Sequence, residues 1–262
     1  MQITALNYYP VKSMRGIGAW ELTVTPRGFE QDRIWLLADE TGKFITARTV
    51  PKLVLWDALP TATGLCLKSP QGEEWQVNAA DYTLPHEVTV WKDHFTAYRG
   101  AAETDHWLSE QLGMACRLVY LGAHSARRLA HDNHELSFAD GAPYLLTNTA
   151  SLDKLNQQLD KAVDMRRFRA NIVVNGDVAY AEDNWRRIRI GECEFENFKP
   201  CSRCVLTTVD PDTGIKDEQQ QPLATLAKTR KSEHGVCFGV NLALIRGGTV
   251  RVGDAVEVIA VM

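Results

Sequence analysis

The sequence predicts a mainly β protein with a few helices (α+β), built from two β-rich halves. Apolar and polar residues alternate with a period of two in many short segments. Turn signals recur at short intervals through the first hundred residues, and only three segments have helical spacing. Turns spaced this closely favour a barrel or sandwich over alternating strand and helix units.

The N-terminal half is predicted to contain one alternating strand and three hairpins. Trp20, Leu22 and Val24 alternate with polar residues, which is typical of a half-buried strand. Hairpins are predicted where apolar segments flank turn sequences, at residues 34–38 with 44–46, 65–68 with 75–77, and 88–91 with 95–98.

Helices are predicted at residues 104–112, before the stop signal Gly113, at residues 150–159, and near Pro222. Strands return in the C-terminal half, at residues 172–174, 187–190, 192–196, 205–209 and 250–258. The polar connector 122–135 separates the two halves. We therefore predict domains of residues 1–125 and 126–262.

Composition excludes several classes of protein. The 262 residues are 45% apolar and 24% charged, an ordinary soluble composition that can build a sizeable core. A net charge of −4 argues against nucleic acid or an anionic membrane as a partner. No apolar run reaches the roughly 18 residues of a membrane helix. The N-terminus lacks a secretory signal pattern, and six cysteines are too few for a disulfide scaffold, so a cytoplasmic location is expected.

The sharpest local feature is the sequence Cys201-Ser202-Arg203-Cys204. A redox pair of the thioredoxin type requires a helix after the motif, whereas a strand is predicted there. A structural zinc site needs four ligands, and the other candidates are His131 and His134 in a polar loop. A single thiolate bound to a soft metal, or two packing cysteines, are the remaining interpretations.

Cationic residues next to the motif favour the single-thiolate interpretation. Lys199 and Arg203 would favour a thiolate and would pair with an anionic cofactor. Lys12, Ser13 and Arg15 follow a predicted strand and offer donors to an anion, although a solvated loop fits the same pattern.

Further polar residues flank strands. Arg169 and Asn171, two apart on an extended segment, would share one face, and Arg33 and Arg48 also lie next to strands. Each arginine fits an anion site or an ordinary ion pair. Asp140, in the turn of residues 137–144, is either an acid, a base, an acceptor or a turn residue.

Several well-known motifs are missing from the sequence. It contains no phosphate-binding P-loop, no dinucleotide fingerprint and no zinc-protease or serine-hydrolase motif. The plant-type iron–sulfur spacing is also absent, so we expect no iron–sulfur cluster in this chain. The remaining cysteines are interpreted as core residues.

Taken together and in this order, residues 9–13, 32–48, 168–171 and 199–214 resemble the MOSC-domain family. The branch they resemble comprises the mitochondrial amidoxime-reducing component and bacterial relatives that detoxify N-hydroxylated base analogues. The resemblance covers nearly the whole chain. It implies an N-terminal β-barrel domain packed on a C-terminal MOSC β-barrel.

The resemblance also implies a molybdenum cofactor, a pterin dithiolene that carries a phosphate. By position, Cys204 is the catalytic residue whose thiolate completes the coordination of the metal. Ten residues fall on cofactor-binding positions: Lys12, Ser13, Arg33, Gly141, Ala142, Arg169, Asn171, Ser202, Arg203 and Asn241. The implied reaction is the two-electron reduction of N–O bonds in N-hydroxylated compounds, with release of water. Asp140 is our hypothesis for the catalytic residue that delivers protons.

Many bacterial relatives carry a C-terminal ferredoxin-like domain, whereas this chain ends at Met262. The resemblance therefore implies a separate electron-donor protein of the ferredoxin, flavoprotein or cytochrome type. A small N-hydroxylated molecule is the expected substrate, and neither nucleic acid nor a membrane is an expected partner. The alternative is a carrier that binds the molybdenum cofactor, or sulfur through Cys204, without turnover of its own.

Overall fold

The computed structural model describes all 262 residues, and strands dominate it, as the sequence predicts. The strands are β1 (Ile3–Tyr8), β2 (Ile17–Ala19), β3 (Glu21–Thr25), β4 (Gly28–Phe29), β5 (Trp35–Ala38), β6 (Asp57–Pro60), β7 (Gly64–Lys68), β8 (Glu74–Asn78), β9 (Leu84–Val90), β10 (Asp93–Arg99), β11 (Arg117–Tyr120), β12 (Tyr144–Asn148), β13 (Ile172–Val174), β14 (Trp185–Ile190), β15 (Cys193–Ser202), β16 (Lys231–Ser232), β17 (Gly235–Arg246), β18 (Gly248–Arg251) and β19 (Val256–Val261).

Three α-helices and five short 3₁₀ helices complete the structure. The α-helices are α1 (Ala102–Leu112), α2 (Thr149–Asn156) and α3 (Leu223–Thr229). The 3₁₀ helices are Pro51–Leu55, Ala79–Asp81, Met165–Phe168, Ala181–Asn184 and Val205–Thr208. None of these helices combines the length and the apolar character needed to cross a membrane.

The strands form four sheets. The largest has nine strands in the order β19-β14-β15-β17-β12-β13-β1-β2, with β16 paired to β17. All pairs in this sheet are antiparallel except β12 with β13, which run parallel. The other sheets are β5-β11-β10-β9, β18-β3-β4 and β6-β7-β8.

Two hydrophobic cores support these sheets. The first contains 28 buried residues, which come from residues 11–121 together with Phe138 and Val209. The second contains 18, and it combines Ile3, Leu6 and nearby buried residues of β3 and β4 with residues of the C-terminal half. Strands β1, β3 and β4 therefore pack in the C-terminal core. The domain limits 1–125 and 126–262 stay a prediction.

Most predicted elements form, with shifts at their ends. The hairpins β7–β8 and β9–β10 form as predicted, but the turn of β9–β10 is Trp91-Lys92, because Val90 pairs with Asp93. Gly113 ends α1 in the left-handed conformation (φ 68°), as expected of a C-cap glycine. The second helix ends three residues earlier than predicted. The side chain of Asn156 bonds both the amide (2.9 Å) and the carbonyl (3.1 Å) of Val163, which turns the chain there.

Three predictions are wrong at particular segments. Trp20 precedes β3 and is 71% exposed. Residues 44–46 form no regular strand: one antiparallel bridge joins Phe44 to Ala38 of β5, and the amide of Ile45 donates to the carbonyl of Leu37 (2.7 Å), so the predicted hairpin is reduced to this short contact. Residues 205–208 form a 3₁₀ turn, in which the hydroxyl of Thr207 donates to the carbonyl of Cys204 (3.0 Å).

Candidate functional site

One cavity of about 500 Å³ gathers every site residue predicted from the sequence. It is lined by loops that follow β1 and β4, the loop before β12, the loop before β13, the end of β15, and β17. The predicted residues on its wall are Lys12, Ser13, Arg33, Asp140, Gly141, Ala142, Arg169, Asn171, Ser202, Arg203, Cys204 and Asn241. Residues far apart in sequence are thus brought together, although their individual roles stay predictions.

The backbone around this cavity is strained. Ser13, Arg33, Trp91 and Arg169 all have positive φ, at 74°, 53°, 59° and 56°. Such values are uncommon for residues other than glycine, and they concentrate at functional sites. The loop conformation at Arg33 is held by a 2.7 Å bond from its amide to the carbonyl of Tyr9. Because Arg169 is left-handed, the prediction that it shares an extended segment with Asn171 is wrong, although both line the cavity.

Both thiols of the Cys-x-x-Cys motif lie half-buried on the cavity wall, and each accepts a hydrogen bond from an arginine. Arg48 Nε donates to Cys204 Sγ at 3.1 Å. Arg203 Nη1 donates to Cys201 Sγ at 3.0 Å. Each sulfur therefore lies next to a positive charge, and cysteine sulfur is a ligand that soft metals prefer.

Asp140 connects the cations on one side of the cavity. Its carboxylate accepts hydrogen bonds from Lys12 Nζ, from Arg48 Nη2 (2.9 Å) and from Trp91 Nε1 (3.1 Å). Burial by itself would raise the pKa of Asp140, but the positive charges of Lys12 and Arg48 hold this pKa well below its usual range. The group is therefore ionised at neutral pH, which favours an acceptor over a proton donor. Its role in proton delivery stays a prediction.

Lys12 is a buried amine on the cavity wall whose pKa is shifted toward neutral pH. Its side chain is 6% exposed, and Nζ donates to the carbonyl of Phe138 at 2.7 Å as well as to Asp140. Burial lowers the pKa of Lys12 to about 8, against the opposing attraction of Asp140. At neutral pH this amine is charged and close to its titration midpoint.

Positive charge dominates the cavity wall. Its charged side chains, apart from Asp140, are the cations Lys12, Arg33, Arg48, Arg169, Lys199 and Arg203. Arg33 has a counterion in the buried carboxylate of Asp32. Arg169 Nη2 and Arg203 Nε are buried and have no hydrogen-bond partner. Unpaired buried donors are costly, so this wall is suited to an anionic ligand.

The side chain of Asn171 forms its hydrogen bonds with other residues of the protein. The residue is 1% exposed. Its Oδ1 accepts hydrogen bonds from the amide of Leu145 (3.2 Å) and from Arg33 Nη1 (3.3 Å). Its Nδ2 donates to the carbonyl of Asn7 at 3.2 Å. Asn171 therefore orients Arg33, and most of its hydrogen-bonding capacity is already used within the protein.

The zinc interpretation of the motif is not supported by geometry. His131 Nε2 lies 3.0 Å from Glu196, and His134 Nδ1 lies 3.1 Å from Asp132. Neither histidine lines the cavity that contains Cys204. No group of three or more His, Cys, Asp or Glu side chains is arranged to hold a metal ion.

Sequence reasoning missed several residues of the cavity wall. The main one is Arg48, which was noted beside a strand but not assigned to the site, and whose guanidinium also lies 4.3 Å from the centre of the Trp91 ring. The presence of Arg48 next to a strand end was the only available signal. Trp91 and His234 were missed as well, whereas Lys199 had been noted as a cation next to the cysteine motif.

Comparison with known families decides the classification. Residues 1–115 match the MOSC N-terminal beta barrel domain, and residues 133–257 match the MOSC domain. The chain belongs to the MOSC family. This MOSC protein is 34% identical to mitochondrial amidoxime-reducing component 1 of Mus musculus, over 97% of the chain and 81% of that relative.

Two further relatives extend the comparison. The identity to mitochondrial amidoxime-reducing component 1 of Homo sapiens is 32%, over 97% of the chain and 82% of the relative. The identity to a molybdenum cofactor sulfurase of Oryza sativa is 29%, over 92% of the chain but only 32% of that longer protein. The resemblance to MOSC proteins predicted from the sequence is confirmed, and a function related to the molybdenum cofactor follows.

Proposed function

We propose that this MOSC protein is a molybdenum-cofactor-dependent oxidoreductase that reduces N-hydroxylated compounds. The observation that carries the proposal is the cavity itself, where the Cys204 thiol lies among six cations and a single lining carboxylate. The unpartnered donors Arg169 Nη2 and Arg203 Nε fit a ligand that carries an anionic phosphate.

The chain offers separate groups for the two parts of such a cofactor. Cys204 would supply the thiolate ligand of the metal, with Arg48 Nε directed at its sulfur. Arg33, Arg169 and Arg203, with the hydroxyls of Ser13 and Ser202, would hold the phosphate and the pterin. The bound cofactor supplies the two-electron chemistry, and the protein supplies orientation and protons.

Protons are needed because reductive cleavage of an N–OH bond consumes two electrons and two protons and releases water. Lys12 Nζ holds a proton at the cavity wall, fixed by the carbonyl of Phe138 and the carboxylate of Asp140. An amine with a pKa of about 8 can donate this proton and regain it from solvent near neutral pH. In this scheme Asp140 positions the donor and keeps it charged.

We further propose that electrons come from a separate donor protein of the ferredoxin, flavoprotein or cytochrome type. A small N-hydroxylated molecule would be the substrate, without nucleic acid or a membrane as a partner, which agrees with the net charge of −4. The six free cysteines support a cytoplasmic location, although the mouse and human relatives carry mitochondrial names.

The test is reduction of benzamidoxime by metal-loaded protein with an artificial electron donor. We expect turnover by the parent protein, none in Cys204→Ala, and activity in the control Cys201→Ala, which removes a thiol from the same wall. Bound metal and pterin without turnover would support the carrier, a function compatible with the sulfurase relative. Absence of both binding and turnover would contradict the proposal.

A further inference from the structure

Tyr9 is a buried aromatic residue that lies behind the cavity wall and has no role in the function proposed above. It directly follows β1 and is 4% exposed. Its amide donates to Asp32 Oδ1 at 2.8 Å, and its carbonyl accepts from the amide of Arg33 at 2.7 Å. Its hydroxyl donates to the carbonyl of Ala170 at 3.1 Å. Tyr9 is thus bonded to both loops that carry the cavity arginines.

Two guanidiniums lie over the Tyr9 ring. The distance from the ring centre is 4.6 Å for Arg33 Cζ and 4.1 Å for Arg169 Cζ. Cations are attracted to the face of an aromatic ring, and more strongly where water is excluded. The attraction of both guanidiniums to the ring therefore offsets part of the repulsion between their like charges.

The two arginines depend on the ring to different degrees. Arg33 also has the carboxylate of Asp32 as a counterion. The guanidinium of Arg169 has no carboxylate partner, and its only hydrogen bond goes from Nη1 to the carbonyl of Met14 at 2.7 Å. The face of the Tyr9 ring is therefore the main attractive side-chain contact of Arg169 within the protein.

Neighbouring residues keep the ring in this place. A β-carbon added at Gly16 would lie 2.4 Å from Cε1 of Tyr9, so any larger residue there must displace the ring. Arg33 and Arg169 also have left-handed backbones, which fixes the points from which their side chains reach the ring.

We infer that Tyr9 is a positioning residue, which holds the guanidiniums of Arg33 and Arg169 at the spacing that receives a doubly charged oxyanion in the cavity. The inference rests on the proposed function only in naming that oxyanion as the phosphate of the cofactor. Anion binding by the cofactor-free protein tests it independently, with inorganic sulfate as the probe.

The experiment compares sulfate binding by calorimetry in Tyr9→Phe, Tyr9→Leu and the parent protein. Tyr9→Phe keeps the ring and should retain the parent affinity within a few-fold, whereas Tyr9→Leu should weaken binding about tenfold. Tyr82→Leu is the matched control, since Tyr82 is 5% exposed and packs on Trp35 without a cation over its ring. This control should leave the affinity unchanged.

Gly16→Ala is a second test of the Tyr9 ring, because the added methyl group displaces the ring without removing it. We expect weaker sulfate binding in this variant too. Parent-like affinity in Tyr9→Leu, equal losses in Tyr9→Phe and Tyr9→Leu, or no sulfate binding by the parent would each overturn the inference. If the predicted pattern appears but the parent carries no molybdenum, the proposed function fails while the positioning role of Tyr9 stands.

Discussion

At the scale of single residues, Lys12 makes the positive charge of the cavity depend on pH. Burial lowers its pKa to about 8 from the ordinary 10.5, so the amine loses its charge as pH rises through that value. Sulfate affinity of the cofactor-free protein should then fall by about fivefold between pH 7 and 9, the effect of about 1 kcal/mol from one lost charge. Lys12→Arg stays charged and should show no such fall. Parallel pH profiles for the two proteins would contradict this assignment.

Glu182 is a second residue whose environment predicts a pH effect, this time on stability. Its side chain is fully buried, Ser151 Oγ donates to Oε1 at 2.6 Å, and Oε2 has no partner. Burial raises its pKa above the ordinary 4.5. The stability that this group contributes is therefore present below pH 4.5 and is lost as pH rises through the folded pKa.

Glu182→Gln removes this dependence. The unfolding free energy of the parent should fall relative to the variant as pH rises above 4.5, by about 1.4 kcal/mol for every pKa unit of the shift. Chemical denaturation at several pH values measures the difference. A constant difference from pH 4 to pH 8 would show that Glu182 does not titrate with a raised pKa.

The residues of the site were predictable to different extents. All twelve residues proposed from the sequence line one cavity. The bond from Arg48 to Cys204 joins positions 156 residues apart, so no local pattern could have indicated it. The positive φ values of Ser13, Arg33 and Arg169 are likewise set by tertiary contacts, since these residue types have no local preference for that conformation.

At the scale of elements, Gly239 in β17 allows the strand to pass close to β12. Its φ is 73°, and an added β-carbon would lie 2.6 Å from the carbonyl oxygen of Leu146. Gly239→Ala should therefore destabilise the protein by about 2 kcal/mol or more beyond the cost of the left-handed backbone. Thermal and chemical unfolding measure the change.

Gly72 provides the matched control for this comparison. Its φ of 93° is also positive, but an added β-carbon meets nothing within 4 Å. Gly72→Ala should cost only about 1–2 kcal/mol, from the backbone alone. Equal losses for the two substitutions would contradict a role for close approach at Gly239.

Elements with strong local signals were predicted well. The hairpin β7–β8 and helix α1 combine clear periodicity with turn or capping residues. Residues 205–208 have the β-branched composition of a strand, yet hydroxyls of Thr207 and Thr208 bond carbonyls three residues earlier and close a 3₁₀ turn. Composition alone does not separate these outcomes.

At the scale of the whole molecule, the N-terminal strands complete the C-terminal sheet. Leu6 of β1 pairs with Ile172 of β13, and both are fully buried in the second core. A fragment of residues 126–262 lacks β1 to β4 and would expose this core. We expect it to be unfolded by circular dichroism and to gain structure only when residues 1–125 are co-expressed. Cooperative unfolding of the isolated fragment would instead support the predicted domain limits.

The order of strands could not be read from the sequence. The position of β1 between β13 and β2 depends on contacts between residues more than 160 positions apart, such as Tyr9 Oη with the carbonyl of Ala170. The fold class follows from local periodicity, whereas the cavity depends on this long-range arrangement.

The central claim is that Cys204 ligates a molybdenum cofactor. The most direct test is the molybdenum content of protein purified from a host that makes the cofactor, for the parent, Cys204→Ala and Cys201→Ala. We expect near-stoichiometric molybdenum in the parent and in Cys201→Ala, and none in Cys204→Ala. A parent protein without molybdenum despite a positive loading control, or metal retained in Cys204→Ala, would contradict the claim.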